Sequence, residues 1–314
     1  MGIIIHEVNE LNNSFRSDLA DELIEKTNKG EYEVENRKYK DISISKISIL
    51  KEDNTLNKKI GTYVSIGFNN VEEKEARNDI KDVLVESLKN MINPMGLNKE
   101  DKILVVGLGN EDFSADALGP MASKEVIVTS HLFTLEDFDI KDGTRPISLI
   151  TPGVMGQTGL ETADIVKSVC DFYRPKVVIF IDALATKSMN RINKVIQITN
   201  TGIAPGSGIG NNRKALDKDY LGCECICIGV ATVVGISSIV YETISLIEKM
   251  YGELPTIYSP LKEENRYHII SSLLEEHNME MIVTPKQIDE DIKNIAYIIG
   301  NSINEAVHIN SASL

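Results

Sequence analysis

The chain has 314 residues, 42% of them hydrophobic, enough to bury a sizeable core in one large domain or two small ones. Its 33 Lys and Arg stand against 47 Asp and Glu, and the net charge of -14 repels phosphate backbones and anionic membranes, which argues against nonspecific nucleic-acid binding. No apolar run has the length of a bilayer span, and the opening MGIIIHEVNE has neither a basic flank nor a small-residue cleavage site, so the chain reads as cytoplasmic.

Near the start, SFRSDLADEL places Ser17 before Asp18, Asp21 and Glu22, a pattern that fits a helix start with Ser17 as N-cap. DISISKISIL then alternates like a half-buried strand, and its phase slips at Lys46, where a bulge is expected. VEEKEARNDIKDVLVESLKNMINP reads as an amphipathic helix stopped by Pro94. From there strands and helices alternate. DKILVVGLGN, RPISLITPG and RPKVVIFIDAL are buried strands running into turns, and NKVIQITNTG and CECICIGV are further strand candidates. Between them ALGPMASKEVIV, GLETADIVKSVCDFY and GISSIVYETISLIEKMYG carry apolar residues at helical spacing. Two helices follow, EENRYHIISSLLEEHN and PKQIDEDIKNIAYIIGNSINEAVHI, the second with Pro285 at the first helical position. The pattern predicts an α/β fold with a mostly parallel central sheet flanked by helices.

Cys223, Cys225 and Cys227 alternate on a strand, which puts three thiols on one face; with no nearby fourth ligand they read as core packing, as does Cys170. The five histidines are scattered and form no H-E-x-x-H pair, so a His-based zinc site is not indicated, and no cofactor is expected. GLGNED begins like a dinucleotide-binding turn, but Asp112 stands where the third glycine belongs.

The tripeptide Asp-Ala-Leu occurs twice, in SADALGP at Asp116 and in FIDALAT at Asp182, each time just past an apolar run. In open α/β sheets the functional crevice lies beyond the carboxyl ends of the strands. If the two strands are neighbours, both carboxylates face one cleft, as an acid and base pair for hydrolysis or as joint metal ligands. The competing reading is that Asp116 caps a helix and Asp182 bonds a turn. The loop TNTGIAPGSGIGNNRK, with Gly206, Gly208, Gly210 and Arg213, lets backbone amides approach a ligand, unless it is only a connecting loop.

Taken together, LVVGLGN, DALGP, TPGVMGQTGLET, IDALA and PGSGIGN followed by RK resemble the germination protease family of endospore-forming bacteria, and the likeness runs in order from FRSDLADE to VTPKQID. The resemblance implies an endopeptidase that degrades small acid-soluble spore proteins in the forespore and spore core, assembled as a homotetramer and made as an inactive precursor. It places the catalytic aspartates on Asp116 and Asp182, with no tightly bound metal, and makes hydrogenase-maturation peptidases fold relatives. Targets of the family resemble Thr-Glu followed by Ile-Ala-Ser-Glu-Phe, and SDLADEL matches them in type. This marks Asp18-Leu19 as the bond for self-processing, residues 1–18 as propeptide and 19–314 as a single α/β peptidase domain. Some members carry His just before the Pro-Gly of the glycine loop, where this chain has Ala204. A metal-dependent maturation peptidase is the alternative.

Overall fold

Strands that are apolar at every position, such as VVIFI, need cover on both faces, and the fold supplies it. The computed structural model describes residues 17–24, 30–134, 143–204, 214–252 and 263–308. The strands are β1 (Tyr32–Tyr39), β2 (Ile42–Ile49), β3 (Gly61–Gly67), β4 (Ile103–Gly107), β5 (Ile147–Ile150), β6 (Val177–Thr186), β7 (Val195–Thr199), β8 (Glu224–Gly235) and β9 (Ile282–Val283). The helices are α1 (Lys74–Ile92), α2 (Leu118–Ser123), α3 (Met155–Thr158), α4 (Thr162–Tyr173), α5 (Lys218–Leu221), α6 (Ile236–Tyr251), α7 (Glu263–Glu276) and α8 (Ile288–Val307). Among the described residues no helix is long and apolar enough to cross a membrane.

One sheet runs in the order β1-β2-β3-β7-β8-β6-β4-β5, with β9 added to β8. The α/β expectation holds, but a mostly parallel sheet does not: among the described residues only β4 with β5, β4 with β6 and β6 with β8 pair in parallel. β1 with β2, β2 with β3, β3 with β7, β7 with β8, and β8 with β9 are antiparallel. The cause is a meander. β1 and β2 turn back on each other through Lys40 and Asp41, with Lys40 at φ 50°, and β3 lays this unit against β7. The parallel half, where both Asp-Ala-Leu copies lie, keeps the expected arrangement.

Period-2 alternation divides the core. Ile103, Val105, Ile179 and Ile181 face the layer of α1, α2 and α8, whereas Leu104, Val106, Val178 and Phe180 face α4 and α5. At Lys46 there is no bulge: β2 pairs in unbroken register with both neighbours. The phase slips because the buried face changes. Ile42 and Ile44 join the core beneath α1 and α8, while Ile47 and Ile49 join a second cluster on the other face with Ala20, Tyr32, Leu56 and Tyr63. Two further expectations shift. α2 stops at Ser123, well short of the apolar run that follows, and α8 begins at Ile288, so Pro285 lies in the preceding turn and its carbonyl accepts from Ile288 N.

At the end of α8 the buried His308 accepts a hydrogen bond at Nδ1 from Arg145 N, 3.2 Å away. Burial, and secondarily the charge of Arg145, pushes this imidazole down from its usual 6.5 to about 4. The unfolded chain therefore binds a proton below pH 6.5 that the folded chain refuses until about pH 4, so stability is lost as pH falls through that window. The parent is expected to lose roughly 3 kcal/mol more than His308→Gln on going from neutral pH to about pH 4. Urea unfolding at the two pH values checks this; parallel losses in both chains would contradict it.

Candidate active site

The parallel half of the sheet sets the site. β4 and β6 are neighbours, with Gly107 paired to Ile181, and Leu108 N donates to Ile181 O at 2.8 Å. Asp182 follows at once, at the point where β4 has ended, yet β6 itself continues along β8 to Thr186 through a register shift at Leu184/Ala185. Asp182 is therefore not the last residue of its strand, as the sequence suggests, but the first that β4 no longer covers. It is 5% exposed, and its Oδ1 accepts from Ala183 N at 2.9 Å.

Asp116 arrives from the β4 side in a 3-10 turn, Ser114–Asp116. It does not cap α2, whose N-cap is Ala117 with no side-chain cap. Instead its Oδ2 accepts from Asn110 N at 2.9 Å, closing the glycine turn after β4. Gly109 sits at φ 112°, and a Cβ there would lie 2.0 Å from Asp116 O, so the close approach requires glycine. From β8, Thr232 Oγ1 donates to Ala115 O at 2.7 Å and fixes the turn from below.

Asp116 and Asp182 line one cavity of about 240 Å³, together with Asp18, Gly153, Thr162 and Thr232. The TPGVMGQTGLET stretch forms its rim. Gln157, on α3, donates from Nε2 to Asn110 Oδ1 at 2.7 Å and to Asp112 Oδ2 at 3.1 Å, tying this rim to the turn that holds Asp116.

The third carboxylate comes from the N-terminal segment. Asp18 N donates to Ala185 O at 3.0 Å, and Ala185 N donates back to Asp18 Oδ2 at 2.9 Å, so the segment is docked on β6 just beyond Asp182. Leu19 is fully buried against Leu184, Val195 and Ala231. Ser17 is not a helix cap; its hydroxyl accepts from Leu19 N at 3.1 Å and donates to Glu22 Oε2 at 2.5 Å. Glu22 also accepts from Thr186 Oγ1 and Lys187 N, and Arg191 pairs with Asp21 at 2.7 Å. Asp18 O accepts from Lys58 Nζ and Gln197 Nε2, two residues that sequence reasoning did not single out.

Gly206, Gly208, Gly210 and Arg213 lie outside the described residues. The base of their loop is tied by Ile203 N to Leu216 O at 3.0 Å and Leu216 N to Ile203 O at 2.7 Å. The cysteines are free thiols, and Cys170, Cys223, Cys225 and Cys227 gather on one side of the sheet beneath α4. Burial, then the carboxylates of Asp182 and Asp18, push the Cys227 thiol well above its ordinary value. Among the described residues no group of three or more His, Cys, Asp or Glu side chains is arranged to hold a metal ion.

Residues 7–257 match the sequence profile of a family described as Germination protease. The chain belongs to the germination protease family. It is accordingly a peptidase, and its family ties it to spore germination. It is 36% identical over 312 residues to the germination protease of Oceanobacillus iheyensis, covering 87% of this chain and 85% of that protein. To the germination protease of Bacillus subtilis it is 36% identical over 307 residues, 85% and 83% of the two chains. To that of Caldanaerobacter subterraneus subsp. tengcongensis it is 37% identical over 276 residues, 85% of each. The germination protease match spans both Asp-Ala-Leu copies and the docked segment.

Proposed function

We propose that this germination protease family member is an endopeptidase that cleaves small acid-soluble spore proteins with Asp116 and Asp182, and that it is made as a precursor that cuts its own Asp18-Leu19 bond. The observation that carries this reading is the convergence of Asp18, Asp116 and Asp182 on one cavity. Asp18, marked by the likeness of SDLADEL to the family's targets, and the two aspartates, marked by strand placement together with the family resemblance, line the same cavity.

The chemistry needs an ionised carboxylate and a protonated one. The ionised member takes a proton from water, and the oxygen adds to the Asp18 carbonyl carbon. Collapse of the tetrahedral intermediate breaks the C–N bond, and the acid member gives its proton to the leaving nitrogen. The products are a carboxylate at residue 18 and an amine at Leu19. Residues 1–18 form the propeptide in this reading, and residues from 19 onward the peptidase domain.

A homotetramer fits the surface of α6. Leu246, Ile247, Met250 and Tyr251 are exposed there, as apolar side chains at a subunit contact would be in an isolated protomer. The acidic chain has no use for nucleic acid as a partner.

The processing claim is tested by placing the full chain in the acidic, dehydrating conditions of a maturing spore and sequencing its N-terminus. A single new start at Leu19 is expected in the parent and none in Asp182→Asn. A start elsewhere, or equal processing in both, would sink it.

A further inference from the structure

The carbonyl of the Asp18-Leu19 bond is held by two side-chain donors from different parts of the fold. Lys58 Nζ lies 3.1 Å from Asp18 O, and Gln197 Nε2 also lies 3.1 Å from it. A loop carbonyl that only needed satisfying could take one backbone or water partner. Two convergent donors, one charged, are the arrangement that stabilises an oxygen on which negative charge develops, with donor distances of about 2.7–3.1 Å.

Both donors are built into place. Gln197, on β7 between β3 and β8, is 5% exposed. Its Oε1 accepts from Ala20 N at 2.7 Å, which fixes the amide so that Nε2 is the end facing Asp18 O. One amide side chain therefore brackets the bond, donating on one side and accepting on the other. Lys58 projects from the loop between β2 and β3. The Asn54 side chain anchors that loop, donating to Lys58 O at 2.8 Å and accepting from Lys58 N at 3.2 Å. Burial lowers the Lys58 pKa, against the opposing pull of Asp18 and Glu22.

We infer that Lys58 and Gln197 are catalytic residues that polarise the scissile carbonyl: Nζ and Nε2 bind the oxyanion formed at Asp18 O, and at the equivalent carbonyl of a protein substrate. The inference rests on the reading that Asp18-Leu19 is cut by the Asp116 and Asp182 pair. Water adds at the carbonyl carbon, the C=O electron pair moves onto the oxygen between Lys58 and Gln197, and it returns as the C–N bond breaks. Neither side chain gains or loses a proton.

The test uses the full chain with Lys58→Met, which keeps the stem and removes the ammonium, and Gln197→Glu, which keeps the acceptor for Ala20 N and removes the donor. Each is expected to cut itself about 100-fold more slowly than the parent. Hydrogen exchange at the Asp18 amide, bonded to Ala185 O, reports whether the segment stays docked. Slowed cutting with unchanged protection in Lys58→Met is the expected result. Parent-like cutting in either variant would overturn the inference alone, as would slowing that merely tracks lost protection. A parent chain that does not cut at Asp18-Leu19 would overturn the processing reading and this inference together.

Discussion

Asp182→Asn is expected to give a folded chain that neither processes itself nor cleaves a spore protein, with rates reduced about 10²–10⁴-fold or more, and Asp116→Asn is expected to do the same. The substitution is chosen for what it preserves. Asp182 Oδ1 accepts from Ala183 N and Asp116 Oδ2 from Asn110 N, and an asparagine carbonyl can take either bond. The turn and the strand therefore keep their shape, while the group that takes or gives a proton is gone. Rate measurements alongside thermal melts decide the matter. A variant that melts like the parent and turns over near the parent's rate removes that residue from the chemistry.

Gly119→Ala is expected to have a large effect on stability. Gly119, in α2, packs against Leu108, just past the end of β4, and against Ile181 within β6. A Cβ there would lie 2.1 Å from Leu108 O, 2.5 Å from Leu108 N and 2.6 Å from Ile181 O, all backbone atoms that cannot swing aside. The helix would have to lift off both strands, at a cost of about 3 kcal/mol or more. Gly156→Ala, in α3, is the control, because a Cβ there meets nothing within 4 Å. Its effect should stay within about 1 kcal/mol. Urea midpoints for the two variants that coincide would mean that α2 does not hold its seat this tightly.

The parallel half of the fold was legible because its strands carry uninterrupted apolar runs, and a short β-branched run such as VVIFI between Pro175 and Asp182 reads as a strand covered on both sides. The antiparallel half was not. β1 is exposed at all but Tyr32, so YEVENRKY shows no apolar alternation, and its Lys-Asp connection to β2 lacks the Asn-Gly or Asp-Gly that marks a hairpin. With β1 and β3 unseen, nothing suggested that β7 would run antiparallel to β8. The two aspartates could be found because each comes just past an apolar run that forms a strand of the parallel half. Lys58 and Gln197 could not, since one lies in an irregular loop and the other is a lone polar residue inside a strand. Their meeting at Asp18 O depends on sequence separations of 40 and 179 residues. The bulge assigned to Lys46 was a misreading of real information: the pattern does change phase there, because the buried side changes.

That change of side makes β2 hard to misplace. A slip of one residue against β3 would turn Ile42 and Ile44 away from the helices and, in the same movement, turn Ile47 and Ile49 away from Tyr32, Leu56 and Tyr63. A strand buried on one face has one cluster to reject a wrong alignment; β2 has two, on opposite sides of the sheet. Ala20 belongs to the second cluster, so the alignment of β2 also determines whether the residues after Asp18 have anywhere to rest. An out-of-register sheet would leave Ala20 without its seat and would loosen the segment that Asp18 ties to β6.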